Sequence, residues 1–135
     1  MVRKFAVESS VPSRALQAYL VLIGAAWNRQ ILTYGSLSQE QMMFGTGGIL
    51  SDPLGCIMAW CKEEGLPPLT VLVVNTETGL PGRGLTTVPD EEFAASMQRV
   101  FRFNWFDIFP PTLQELQAAW GRLGATEPQV GGFQS

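Results

Sequence analysis

The side chains able to carry covalent or proton-transfer chemistry are few, and histidine is absent from the chain. That removes His-dependent triads, imidazole general bases, His–Cys zinc sites and histidine pH switches. Cys56 and Cys61 are the only thiols, too few for a four-cysteine metal site within one chain. On a helix of 3.6 residues per turn they stand about 140° apart. A local disulfide or a Cys-x-x-Cys redox pair does not fit that spacing, so two reduced, partly buried cysteines are expected. Carboxylates gather at Asp90-Glu91-Glu92 and at Glu63-Glu64 beside Lys62. The first run reads as helix capping, because the unpaired N–H groups and dipole of a helix N-terminus attract acids. The second reads as a solvated helix end. No catalytic residue, no metal site and no cofactor is expected, and the chain reads as a non-enzyme.

Two other features remain. The segment Gly79-Leu80-Pro81-Gly82-Arg83-Gly84 is rich in residues that permit tight turns and close backbone approach. It lacks the Gly-Lys-Ser/Thr ending of a phosphate-binding loop. Two readings stay open: a wing or interface loop presenting Arg83, and a hairpin turn with a solvated arginine. Further on, Phe101, Phe103, Trp105, Phe106 and Phe109 precede Pro110-Pro111. These aromatics either plug the core or form a partner surface. So dense a run cannot all point inward from one helix or strand, so an exposed member is expected, with Trp105 and Phe106 as candidates.

The elements that must position these groups follow from apolar periodicity and capping signals. At 135 residues the chain suits one domain with its own core. A single compact domain is expected over 1–124, with a tail over 125–135. A helix is predicted over 14–29 after Pro12-Ser13, with Leu16, Tyr19, Leu20, Ile23 and Trp27 on its apolar face. A β-compatible run at 31–34 follows. Ser36-Leu37-Ser38-Gln39 reads as a capping box opening a short helix to about 44. Ser51-Asp52-Pro53 starts another helix, ended by Gly65. Residues 69–74 read as a buried strand. Asp90 is expected to cap a helix to about 102. Thr112–Glu115 is a second capping box, opening a last helix that Gly124 should stop. The sum is an α+β domain of about four helices with a small sheet.

Residues 16–74 also carry a resemblance. The pieces are Thr33-Tyr34-Gly35, Pro53-Leu54-Gly55 and the prolines before 69–74, in the order helix, short helix, loop, helix, strand. This order is similar to the winged-helix domain of alkylguanine alkyltransferases and alkyltransferase-like proteins. The resemblance implies a winged-helix-like N-terminal half and DNA binding. The resemblance makes Tyr34 the family's nucleotide-rotating tyrosine; the other reading of Tyr34 is a tyrosine at the edge of the core. The family's Pro-Cys-His-Arg run has no counterpart, since Asn75-Thr76-Glu77 follows the strand, so alkyl transfer is excluded. Asp52 stands where the family inserts an arginine into the base stack.

Charge weighs against a general affinity for phosphates: the net charge is −3 and the pI about 4.9. The longest apolar run, 18–27, is too short to span a bilayer, and a cytoplasmic protein without membrane contact is expected. The leading expectation is a non-enzymatic protein-interaction or regulatory module. Its partner would be another protein, a second copy included, held through Arg83, Trp105 and Phe106. The alternative is DNA binding through Tyr34, Arg29, Ser51 and Arg83.

Overall fold

In the computed structural model, residues 1–5, 10–42, 50–81 and 88–126 are described. Helix α1 (Val11–Trp27) begins at Ser10, whose hydroxyl accepts from the Ser13 amide at 3.3 Å. Pro12 lies inside its first turn, where a missing N–H costs nothing, so the helix starts earlier than predicted. Its buried face is Ala15, Ala18, Tyr19, Leu22, Ile23, Ala25 and Ala26, rotated roughly a quarter turn from the expected one. The alanines explain the rotation, because small side chains allow close approach of neighbouring helices. Leu20 and Trp27, expected inside, stay exposed.

Strand β1 (Leu32–Thr33) leads into a π-helical turn over Ser36–Gln41 rather than the predicted α-helix. Gly35, not Ser36, stands at the N-cap of this turn. The Ser36 amide donates to Thr33 Oγ1 at 3.1 Å. Buried Arg14 reaches this region from α1: its Nη1 donates to Gln17 Oε1 at 2.6 Å and to the Met42 carbonyl at 3.1 Å. The 43–44 end of the predicted helix lies outside the described residues.

Helix α2 (Ser51–Glu64) matches its predicted span, with Gly65 as a left-handed C-cap at φ +69°. Neither Ser51 nor Asp52 caps it by a side chain; Ser51 is its first residue and Pro53 its third. The predicted strand at 69–74 is mostly a 3₁₀ turn, Leu69–Leu72. Only β2 (Val73–Val74) pairs, in parallel with β1, Leu32 opposite Val73 and Thr33 opposite Val74. A fully apolar run reports burial, and burial is what this turn has: Leu69, Val71 and Leu72 are inaccessible.

The Asp90–Glu92 run forms a 3₁₀ turn that precedes helix α3 (Phe93–Arg102), and no side chain caps α3. Asp90 therefore does not cap as predicted, although its position still favours the helix dipole. Helix α4 (Leu113–Thr126) opens on the capping box read from the sequence. The Glu115 amide donates to Thr112 Oγ1 at 3.0 Å, and the Thr112 amide to Glu115 Oε1 at 2.9 Å. Gly124 does not stop it; the helix runs to Thr126, so the predicted boundary at 124 falls inside an element. The remaining predicted tail, 127–135, lies outside the described residues.

The architecture is α+β: the described residues form four α-helices and a two-stranded parallel sheet. Helix α2 packs against both α1 and α4. The α2–α4 contact depends on Gly55, where a Cβ would stand 2.3 Å from Cζ3 of Trp120. Across the far end of this contact, Arg122 grips Glu63 with two hydrogen bonds of 2.6 and 2.9 Å. No helix among the described residues is long and apolar enough to cross a membrane.

Candidate interaction surface

The aromatic segment divides its residues between inside and outside. A 3₁₀ turn over Trp105–Asp107, opened by Asn104 Oδ1 accepting from the Phe106 amide, aims consecutive side chains in opposite directions. Trp105 goes inward and is 2% exposed. Its indole N–H donates to the Val100 carbonyl at 2.9 Å, and its ring packs edge-on to Tyr19 and Phe103. The expectation that Trp105 would be an exposed anchor is thus corrected: a buried indole needs an acceptor, and the end of α3 supplies one.

Phe106 goes outward and is 59% exposed. It meets Trp27, 67% exposed at the end of α1, edge-to-face at 5.7 Å and 84°. Leu16, Leu20, Gly24 and Trp27 follow one stripe of α1 at helical spacing. Leu20 is exposed, and open space lies over Gly24. Asn28 closes α1, after which Arg29 takes a left-handed φ of +54°. That turn sets the Arg29 guanidinium 5.7 Å from the Phe101 ring centroid, within cation–π range. Trp27, Phe106 and Leu20 thus leave apolar area in water, with an arginine held on an aromatic ring beside the helix end.

The other sequence candidates fall as follows. Tyr34 is half-buried after β1, Ser51 is exposed at the start of α2, and Arg83 lies outside the described residues. The segment before Arg83 folds back on itself. The Asn75 amide donates to the Leu80 carbonyl at 2.8 Å, Asn75 Oδ1 accepts from the Glu77 amide, and Gly79 is at φ +71°. Sequence reasoning placed Trp27 in the core. The signal that could have moved it outward was the alanine run of α1, which offers a second face suited to close packing.

The thiols sit where reactivity is suppressed. Cys56 and Cys61 are free and buried. Burial, helped by the charge of Asp52, pushes Cys56 from 9.0 up to about 12. Burial alone does the same to Cys61, against a backbone hydrogen bond at Leu69. A thiol so held stays protonated at neutral pH, which weakens it as a nucleophile. Tyr19 is likewise raised from 10.0 to about 12 by burial and then by Cys61. Glu63 is held below the ordinary carboxylate range by its hydrogen bonds from Arg122. Among the described residues no group of three or more His, Cys, Asp or Glu side chains is arranged to hold a metal ion.

No protein-family model, curated protein or solved structure matches the chain.

Proposed function

We propose that this chain is a non-enzymatic protein-interaction module that holds its partner through Trp27 and Phe106, flanked by Leu20 and Arg29. One observation carries the reading: two large aromatic rings meet edge-to-face while both remain mostly exposed. Such rings exposed together are what a partner desolvates, and Trp and Arg are enriched among residues that dominate binding energy. The suppressed thiols support the non-enzymatic part. Reduced cysteines also suit a cytoplasmic setting.

The test compares the full chain with Trp27→Ala and Phe106→Ala in sedimentation velocity and in quantitative affinity capture. The expected result is one stoichiometric partner, another protein or a second copy, lost from both variants while the fold is retained. Absence of any stoichiometric partner, or its retention by both variants, contradicts the proposal.

A second reading is DNA binding through a winged-helix-like half. It is favoured by the succession α1, β1, helical turn, α2 and β2 over 11–74, the order of the resembled domain. Asp52, exposed beside Ser51 at the start of α2, opposes it, since a carboxylate there repels phosphates. A salt-sensitive shift of duplex DNA, lost on replacing Arg29 and Arg83, would favour this reading. No shift at low salt would sink it.

A further inference from the structure

A groove of about 360 Å³ opens between the end of α2, the 108–110 segment and the start of α4, within the size range of ligand sites. Trp60, Leu66, Ile108 and Phe109 give it apolar walls, while Glu64 and Glu115 supply two carboxylates. Among the described residues, no lysine or arginine lines it. Arg122 lies near enough to sense Glu64, but its fork is closed on Glu63. Glu115 is fixed at the edge of the groove by the Thr112 amide. Phe109, just before two prolines, is 93% exposed.

We propose that this groove docks a basic, apolar-flanked peptide segment of a partner protein, an Arg or Lys head between Glu64 and Glu115 and its aliphatic stem against Trp60 and Phe109. Charge selects this occupant. An acidic segment is repelled by both carboxylates, and a purely apolar one would strip water from them without compensation. A basic side chain supplies both halves of the match, since its stem covers apolar surface while its head pairs with carboxylates and aromatic rings. The site shares no residue with the Trp27–Phe106 surface, so each can fail without the other.

The probe is the blocked pentapeptide acetyl-Ala-Leu-Arg-Leu-Ala-amide, titrated into the full chain at low salt with the assigned indole N–H resonance of Trp60 followed by NMR. A saturable shift at Trp60 is expected. The same peptide with citrulline for arginine should bind at least about tenfold more weakly. The double variant Glu64→Gln, Glu115→Gln removes both charges and keeps the α4 cap, because Gln serves a capping box as Glu does. It should retain the fold and lose the preference for arginine over citrulline. Equal binding of the two peptides, a preference that survives in the double variant, a shift confined to Trp27, or no shift at about 5 mM peptide would each overturn the assignment.

Discussion

Tyr19 and Trp60 meet edge-to-face with ring centroids 5.7 Å apart and planes at 87°; Trp27 and Phe106 meet at 5.7 Å and 84°. The geometry is the same and the surroundings are opposite. The first pair lies in the core and is joined by Trp105. The second keeps most of its surface in water. Edge-to-face contact adds a similar increment in either place, roughly 0.5–1.5 kcal/mol beyond area burial. What differs is the area already removed from water, which is large inside and still available outside. The inner pair therefore serves stability, and the outer pair leaves in water the apolar area that the proposed partner would cover.

Four substitutions or conditions break or sharpen this contrast. Trp105→Ala should be the most damaging, removing a buried ring and leaving the Val100 carbonyl without its donor. A loss of about 3–5 kcal/mol is expected in chemical denaturation. Gly55→Ala comes next, because the added methyl meets the Trp120 ring. About 1–3 kcal/mol should be lost, and much of it recovered when Trp120 is shortened in the same chain. A loss unchanged by shortening Trp120 would place the strain elsewhere.

The third is pH. Cys56, Cys61 and Tyr19 all ionise higher in the folded state, near 12, than at their ordinary values of 9.0 and 10.0. Above about pH 9 the unfolded chain releases protons that the folded chain keeps, so stability declines as pH rises from about 9 towards 12. Denaturation midpoints should be level from pH 7 to 8.5 and lower at pH 10. At pH 8 iodoacetamide should label the thiols only after unfolding. The smallest effect is expected from Trp27→Ala, whose loss of stability should stay below about 1 kcal/mol. A larger loss would mean that the outer pair is structural after all.

Much of the fold was legible where local chemistry decides it. Thr112–Glu115 formed its reciprocal cap, and Gly65 ended α2. The reading failed at the local signals of Asp90 and Gly124, and more widely where tertiary packing decides. Leu69–Leu72 is apolar enough for a strand, yet only Val73 and Val74 find a partner in β1. The face of α1 was misjudged because large apolar residues outweighed alanines in the sequence pattern, whereas close helix packing selects the alanines. Of the candidate surface, Phe106 was legible because a dense aromatic run must leave some member outside. Trp27 was not, since its exposure follows from the rotation of α1. Trp105 and Phe106 are neighbours, and only the turn geometry at Asn104 separates their fates.

The central claim, that the Trp27–Phe106 surface is held ready for a partner, is tested most directly by photo-crosslinking in living cells. A photoreactive phenylalanine would replace Phe106, and in a control Gln98, exposed on α3. The account predicts one dominant adduct from position 106 that is missing from position 98 and lost when Trp27→Ala is added. Equal, scattered labelling from both positions would contradict it.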